Sequence, residues 1–554
     1  MMRWVDHLIV APIVLPLLAG ALLVLVDERR HRLKFAISLV AVLGLVAAAF
    51  ALVALAHGRP DGWQGEVGIY LAANWPVPFG IALAADRLSA LMVLLSALLG
   101  LASLVFAQAR WTRAGVHFHA LFQFLLMGLC GAFLTADLFN LFVFFEVLLA
   151  ASYGLVLHGS GPQRVAAGLH YVAVNLLASS LFLIGVAMIY AVTGTLNMGD
   201  LARLLPGLAP QDRPLFEAGA AVLGVAFLVK SAMWPLAFWL SPAYSAASTP
   251  AAAIFAIMTK VGVYAILRLW LLLFADAAGG SAGFGRDWLL YGGMATIGFA
   301  AIGMLAAQDL RRLASHSVVM SSGTLLAAIA FGHPAVLAGA LYYLVSATFA
   351  ASALFLLIEL VERSRGFGSG VLAVTLEALE AQGALHAGPA IAATDEQEDA
   401  GVVIPAAMAF LGAGYIGCAL LIAGLPPLSG FVAKFALLAG VLDAHGAHAP
   451  DDTAAVAWTM LGLVVASGLA AAIAAMRIGI RTFWVQIRQA PPRLRVIEAM
   501  PVAALLLVCV AITIQAGPVM RYVEAAAVGA QRSGPYPDAV IGAPRVPARG
   551  AAQP

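Results

Sequence analysis

FLVKSAMWPLAFWLSPAYSAASTPAAAIFAIMTKVGVYAILRLWLLL, Phe227 to Leu273, is two apolar runs of helix length joined by a Pro/Ser/Ala turn, and each run carries one lysine at mid-depth. The whole chain has only four lysines, Lys34, Lys230, Lys260 and Lys434, and three of them sit inside apolar segments. A charge at the centre of a spanning helix costs roughly 2.5–3.5 kcal/mol. Each strongly apolar residue returns only about 0.3–0.6 kcal/mol. One lysine therefore offsets most of the gain from half a helix, and a chain keeps such residues only where something uses them.

The rest of the sequence has the same character. Its 554 residues are 63% hydrophobic and 10% charged, where a soluble domain has about a quarter of its residues charged. The apolar residues fall in long runs with no period-2 alternation, which predicts an all-α, polytopic membrane protein. Fourteen spanning segments are expected, near 8–26, 33–56, 86–107, 117–135, 137–157, 166–193, 214–240, 247–274, 288–306, 313–331, 334–360, 402–440, 454–476 and 498–519. The first ends in DERRH, which reads as a retained helix and not as a cleaved signal. Cys130, Cys418 and Cys509 all lie in apolar runs and suggest neither a disulfide nor a metal site. The net charge of +2 points to no nucleic-acid partner.

Arginine sets the expected orientation. One set of alternate loops holds Arg29, Arg30, Arg32 and Lys34, then Arg110 and Arg113, Arg164, Arg311 and Arg312, Arg363 and Arg365, and five arginines over 477–495. The other set is poorer in cations. Both termini are therefore expected on the non-cytoplasmic side.

Two interruptions break the helical pattern: Trp234-Pro235 in segment 7, and GLPPLSGF, Gly424 to Phe431, before Lys434 in segment 12. Unwound backbone at membrane depth is tolerated only inside protein or beside a wet cavity. Two broken segments five helices apart, each with its own lysine, predict a duplicated five-helix unit, with segments 4–8 and 9–13 as the halves. Five being odd, the second copy would be inverted. The division is then 1–110, 111–275, 276–476 (with a polar insertion at 362–401 and one short helix near 372–382), 477–520 and a disordered tail at 521–554.

Glu146, in TADLFNLFVFFEVLLAASYG, lies about ten residues into an apolar helix. A carboxylate there either faces a cation or takes up a proton, because desolvation penalises its charged form. Lys230 is the expected counter-charge, in a proton-trading pair or in a structural one. Lys260 is the next step, since desolvation readies a buried lysine to give up a proton when a nearby charge changes; snorkelling is its plainer reading. Lys434 is either the equivalent of Lys230 in the second half or a cap on a half-helix dipole. His316, in ASHSVVMSSG, is a candidate link between Lys260 and Lys434, or a satisfied histidine. Ser315, Ser317, Ser321 and Ser322 suit a water chain or close helix contact. Asp137 and Asn140 are candidates for an entrance, and Asp137 alone fits a helix N-terminus. His170 and Asn175 read as structural. No P-loop, haem-like histidine pair or GxGxxG after a strand is present, so no cofactor is expected.

These runs, TADLFNLFVFFEVLLAASYGL, the 227–268 stretch and GLPPLSGFVAKF, closely resemble the D subunits of Mrp-type Na⁺/H⁺ antiporters, relatives of the antiporter-like membrane subunits of respiratory complex I. The resemblance spans roughly residues 80–480. It implies fourteen helices, inverted five-helix repeats and broken helices 7 and 12. It also implies that Glu146, Lys230, Lys260 and Lys434 match the family's glutamate of helix 5 and lysines of helices 7, 8 and 12, as a midplane chain of ionisable groups. The implied activity is exchange of Na⁺ or K⁺ for H⁺ in a bacterial inner membrane, within a hetero-oligomer of membrane subunits and without cofactor. The alternatives are a proton-pumping component of a quinone-reducing or hydrogenase-type complex, and a scaffold whose buried charges only fix packing. The insertion and the tail are longer than the family leads one to expect.

Overall fold

The computed structural model describes residues 7–58, 63, 66–381, 406–445, 451–483, 494–531 and 535–544. In hydrocarbon each backbone N–H and C=O must be satisfied within its own segment, and the apolar runs accordingly form helices. They are α1 Ala11–Leu25, α2 His31–Gly58, α3 Arg87–Ala107, α4 Phe118–Leu134, α5 Leu138–Leu157, α6 Pro162–Thr193, α7a Arg213–Lys230 with α7b Leu240–Ala246, and α8 Thr249–Leu273. There follow α9 Arg286–Ala306, α10 Leu310–Phe331, α11 Pro334–Ala381, α12a Ala406–Ala423 with α12b Ser429–His445, α13 Asp451–Phe483, α14 Val496–Ile514, α15 Ala516–Gln531 and α16 Pro535–Ile541. Among the described residues eleven helices are long and apolar enough to cross a bilayer, and α1 and α4 are shorter apolar ones. With the broken α7, each of the fourteen expected stretches falls on a helix. A two-stranded antiparallel hairpin, β1 Gly68–Leu71 and β2 Ala82–Ala85, is the one sheet among the described residues and was not expected.

Both expected breaks are present. α7a stops at Lys230 and the chain turns through Trp234-Pro235 before α7b; α12a stops at Ala423 and resumes at Ser429 after Pro426-Pro427. A third, shorter break lies in α8 at residues 256–257, just before Lys260, and no proline or glycine marks it. Helix pairing repeats with a five-helix offset: α4 packs on α5 as α9 packs on α10, and α6 packs on α7a as α11 packs on α12b.

The arginine-rich loops share one face. Trp111 Nε1 donates to Glu359 Oε2 at 2.7 Å, Arg164 Nε to the Ala246 carbonyl at 2.8 Å, and Arg495 to the Ala109 carbonyl at 3.3 Å. Arg311 pairs with Glu362, Arg363 with Glu498, and Arg477 donates to the Leu305 and Ala307 carbonyls. The hairpin, Met198–Leu204 and α16 lie together at the opposite, arginine-poor face.

Three readings of the sequence need correction. Lys34 is no loop cation: its ammonium is buried and reaches back 2.6 Å to Glu28, while Arg29, Arg30 and Arg32 stay exposed. The insertion does not begin as a separate excursion, because α11 runs unbroken to Ala381; residues 382–401 lie outside the described ones. Nor is the tail disordered from residue 521. α15 continues to Gln531 and α16 buries Tyr536, Ala539 and Val540 against Met198–Leu204 and the hairpin, apolar contacts that a count of Pro, Gly and Ala does not register. Residues 545–554 lie outside the described ones.

Glycines let α9 and α10 approach closely: a Cβ on Gly323 would lie 2.8 Å from the Gly293 carbonyl oxygen. Gly323→Leu should destabilise the protein by roughly 1–3 kcal/mol through overpacking and lower its melting temperature in detergent. Gly412→Leu, whose Cβ would meet nothing within 4 Å, should not.

Candidate proton-carrying site

All four lysines are buried, with relative exposures of 3% for Lys34, 5% for Lys230, 1% for Lys260 and 8% for Lys434. An ammonium in such surroundings needs oxygen acceptors, and the helix breaks and small hydroxyl residues supply them.

Lys230 is the last residue of α7a, and its side chain turns toward α6. Nζ donates to Asn175 Oδ1 at 3.2 Å and to the Asn175 carbonyl at 3.4 Å, and lies 6.0 Å from the centroid of the Phe145 ring. Asn175 is itself fixed by its Nδ2, which donates to the Tyr171 carbonyl at 2.8 Å. Glu146, next to Phe145 on α5, is half-buried, and its Oε1 has no hydrogen-bond partner. The expected Glu146–Lys230 contact is therefore absent among the described ion pairs.

Lys260 follows the turn in α8. Its Nζ donates to Ser321 Oγ at 2.6 Å, Thr259 Oγ1 at 3.2 Å, Ser322 Oγ at 3.4 Å and the Val318 carbonyl at 3.5 Å. Two of the four candidate serines on α10 are thus acceptors for an ammonium. The end of α7a presses on α8: a Cβ on Gly262 would lie 2.7 Å from Ser231 Oγ. Lys434, in the second turn of α12b, donates back to the Ile422 and Ala423 carbonyls at 3.2 and 2.9 Å. It closes the C-terminus of α12a, the capping geometry, where the dipole favours a cation.

No described hydrogen bond joins His316 to either lysine. It is half-buried on α10 with its ring edge-on to Phe299, and its buried Nδ1 has no hydrogen-bond partner. Hydroxyls lie instead on α10, α11 and α12: Thr324 of α10 and Tyr343 of α11 are buried, and Ser346 of α11 meets Ser429 of α12b at 2.8 Å. These residues, with Asn175, were missed or undervalued from sequence. The one available signal was a polar side chain within an apolar helix, which does not reveal its partner.

Asp137 caps α5, its Oδ1 accepting from the Asn140 amide at 2.8 Å, and Asn140 Nδ2 donates to Thr135 Oγ1 at 2.9 Å. Nine residues separate Asp137 from Glu146, about 14 Å along the helix. The pair thus forms an N-terminal cap at the arginine-poor end of α5, two and a half turns from the carboxylate that an entrance would serve.

Removing the Asn175 amide leaves the Lys230 ammonium short of an acceptor. Asn175→Ala should destabilise the protein by about 1.5–3 kcal/mol, read as a lower melting temperature, whereas Ser180→Ala on the exposed side of α6 should leave it unchanged.

The family of NADH:quinone oxidoreductase/Mrp antiporter membrane segments matches residues 135–386, which hold the glutamate of α5 and the lysines of α7a and α8. The chain is similar to the probable K⁺/H⁺ antiporter D subunit of Rhizobium meliloti (strain 1021), at 54% identity over 98% of this chain and 99% of that one. It is 33% identical to the Na⁺/H⁺ antiporter D subunit of Alkalihalophilus pseudofirmus, over 86% and 87% of the two chains. Among solved structures it resembles a chain of the Mrp complex from Dietzia sp. DQ12-45-1b, with a TM-score of 0.79 and 26% identity over 98% of this chain and 100% of that one. Sequence and fold therefore agree, and the chain belongs to the NADH:quinone oxidoreductase/Mrp antiporter family, among its antiporter D subunits.

Proposed function

We propose that this chain carries the protons of a multisubunit monovalent cation/H⁺ antiporter in a bacterial inner membrane, with K⁺ as the exchanged cation. One observation carries the reading of the site. Three lysines inside apolar segments are held by neutral oxygens and not by carboxylates, with serine hydroxyls on α10, α11 and α12b. An ammonium held this way keeps its charge uncancelled and so responds to the next charge along the row.

In this reading a proton reaching Glu146 removes the negative charge acting on Lys230. Lys230 then gives its proton toward Lys260, and Lys260 passes one on through the α10 and α11 hydroxyls toward Lys434. Moving one charge across 100 mV is worth about 2.3 kcal/mol, so changes in charge pairing of that size suffice to gate the steps. The arginine-rich face is assigned to the cytoplasm. Support for K⁺ is the 54% identity to a probable K⁺/H⁺ antiporter D subunit, against 33% for a Na⁺/H⁺ one. A 32% identity to the N subunit of an NADH-quinone oxidoreductase supports the weaker alternative, a redox-driven complex.

Exchange is measured in inverted vesicles holding the whole assembly, as collapse of a pH gradient on adding K⁺ or Na⁺. Glu146→Gln and Lys230→Ala should each slow it by about tenfold or more, equivalent to about 1.4 kcal/mol of lost barrier lowering, with assembly unchanged. Parent-level exchange by both assembled variants would leave the scaffold reading in place. A response to Na⁺ and none to K⁺ would reverse the cation assignment.

A further inference from the structure

A cavity of about 200 Å³ opens on the arginine-poor face, apart from the row of lysines. Glu66, Asp86 and Arg87 line one side, and Ala525, Gly529 and Tyr536 of α15 and the C-terminal segment line the other. It is roomy enough for several waters and has charged groups to hold them. At its inner wall the Asp86 carboxylate takes both amines of Arg268, at 2.6 and 2.8 Å, and the Tyr536 ring lies 4.8 Å above the guanidinium. Arg268 Nη2 also donates to the Tyr264 hydroxyl at 3.2 Å, and that hydroxyl donates to the Phe133 carbonyl at 2.6 Å. Arg87 pairs with Glu66, while its Nε is buried with no hydrogen-bond partner.

Lys260, Tyr264 and Arg268 are spaced at i, i+4 and i+8 along α8, so they share one face in steps of about 6 Å. One end of that face is the mid-depth ammonium and the other is the cavity wall. A buried ion pair returns little net stability once desolvation is counted, so holding α3 to α8 is a weak reason to keep Asp86 and Arg268 there.

We propose that this cavity is the opening of the proton path on the arginine-poor face, that Asp86, Arg268 and Tyr264 connect it to Lys260, and that Tyr536 is its cover. The proposal rests on Lys260 being part of the proton row. Arg268 stays a fixed cation that positions the Asp86 carboxylate. Asp86 takes a proton from cavity water and gives it up, by way of water, to the Tyr264 oxygen as the Tyr264 hydroxyl releases its own proton to Lys260 in the amine form, so that Asp86 ends as the carboxylate, Tyr264 neutral and Lys260 as the ammonium.

Changing Asp86 or Arg268 would strand a buried charge, so the test blocks the cavity from the α15 side. In an assembly whose copy of this chain has Cys130, Cys418 and Cys509 replaced by alanine, Gly529→Cys and, separately, Ala525→Cys are treated with a membrane-impermeant, bulky thiol reagent. Right-side-out and inverted vesicles are compared. Reagent on the arginine-poor side should modify the thiol and slow exchange by about tenfold, reduction of the adduct should restore it, and Tyr536→Ala should speed modification several-fold. Complete modification with exchange at the parent rate would overturn the proposal, as would absence of modification from that side. In the same vesicles the unmodified parent must exchange and Lys230→Ala must be slowed by about tenfold or more, so failure of the proton row is seen apart from failure of the cavity.

Discussion

An ammonium buried in an apolar protein must find oxygen. This requirement shapes the centre of the molecule more than any single packing contact. The positions that satisfy it are of three kinds: the freed carbonyls of a helix end for Lys434, a side-chain amide and its own carbonyl for Lys230, and clustered hydroxyls for Lys260. Each needs either a break in a helix or small polar residues on a neighbouring one. The interruption in α12 is thus a solvation device for Lys434, whereas Lys230 and Lys260 draw their acceptors mainly from the neighbouring α6 and α10. Acceptors of this kind leave the ammonium charge intact, so it remains available to interact with its neighbours along the row.

Arginine is used in the opposite way. Arg268 and Asp86, Arg311 and Glu362, and Arg363 and Glu498 are matched carboxylate pairs near the ends of the helices. A planar guanidinium suits a bidentate partner, whereas a lysine makes a compact, movable point charge. On the arginine-rich face, Trp111 donating to Glu359 and Arg311 to the Ala247 carbonyl tie the two five-helix halves together. That leaves the midplane as the place where charge is not locally cancelled.

Much of this was readable from the residues. Pro235 and the Pro426-Pro427 pair announced two breaks, since proline cannot continue a helix without losing a hydrogen bond. Spacing alone then pointed to the five-helix offset that the packing repeats. The turn at 256–257 in α8 was not readable, because it has no proline or glycine. Side-chain partners were equally hidden. Glu146 and Lys230 are natural mates on charge alone, but helix rotation sends Lys230 to Asn175 of α6. The C-terminal residues were misread on composition, which counts alanine and proline without knowing that Tyr536 meets a buried guanidinium. Lys34 shows the same limit, as its six-residue separation from Glu28 gave no hint of burial.

If protons move along the midplane, Lys230, Lys260 and Lys434 must form one hydrated, oxygen-lined row across α6, α8, α10, α11 and α12. The most direct measurement is a structure of the assembled complex, by electron cryo-microscopy, at a resolution that shows ordered water. Water density should bridge Glu146 to Lys230, and should link Lys260 through Ser321, Tyr343 and Ser429 to Lys434. Dry, tightly packed apolar side chains filling those gaps, with each lysine enclosed by its own acceptors, would contradict a proton row.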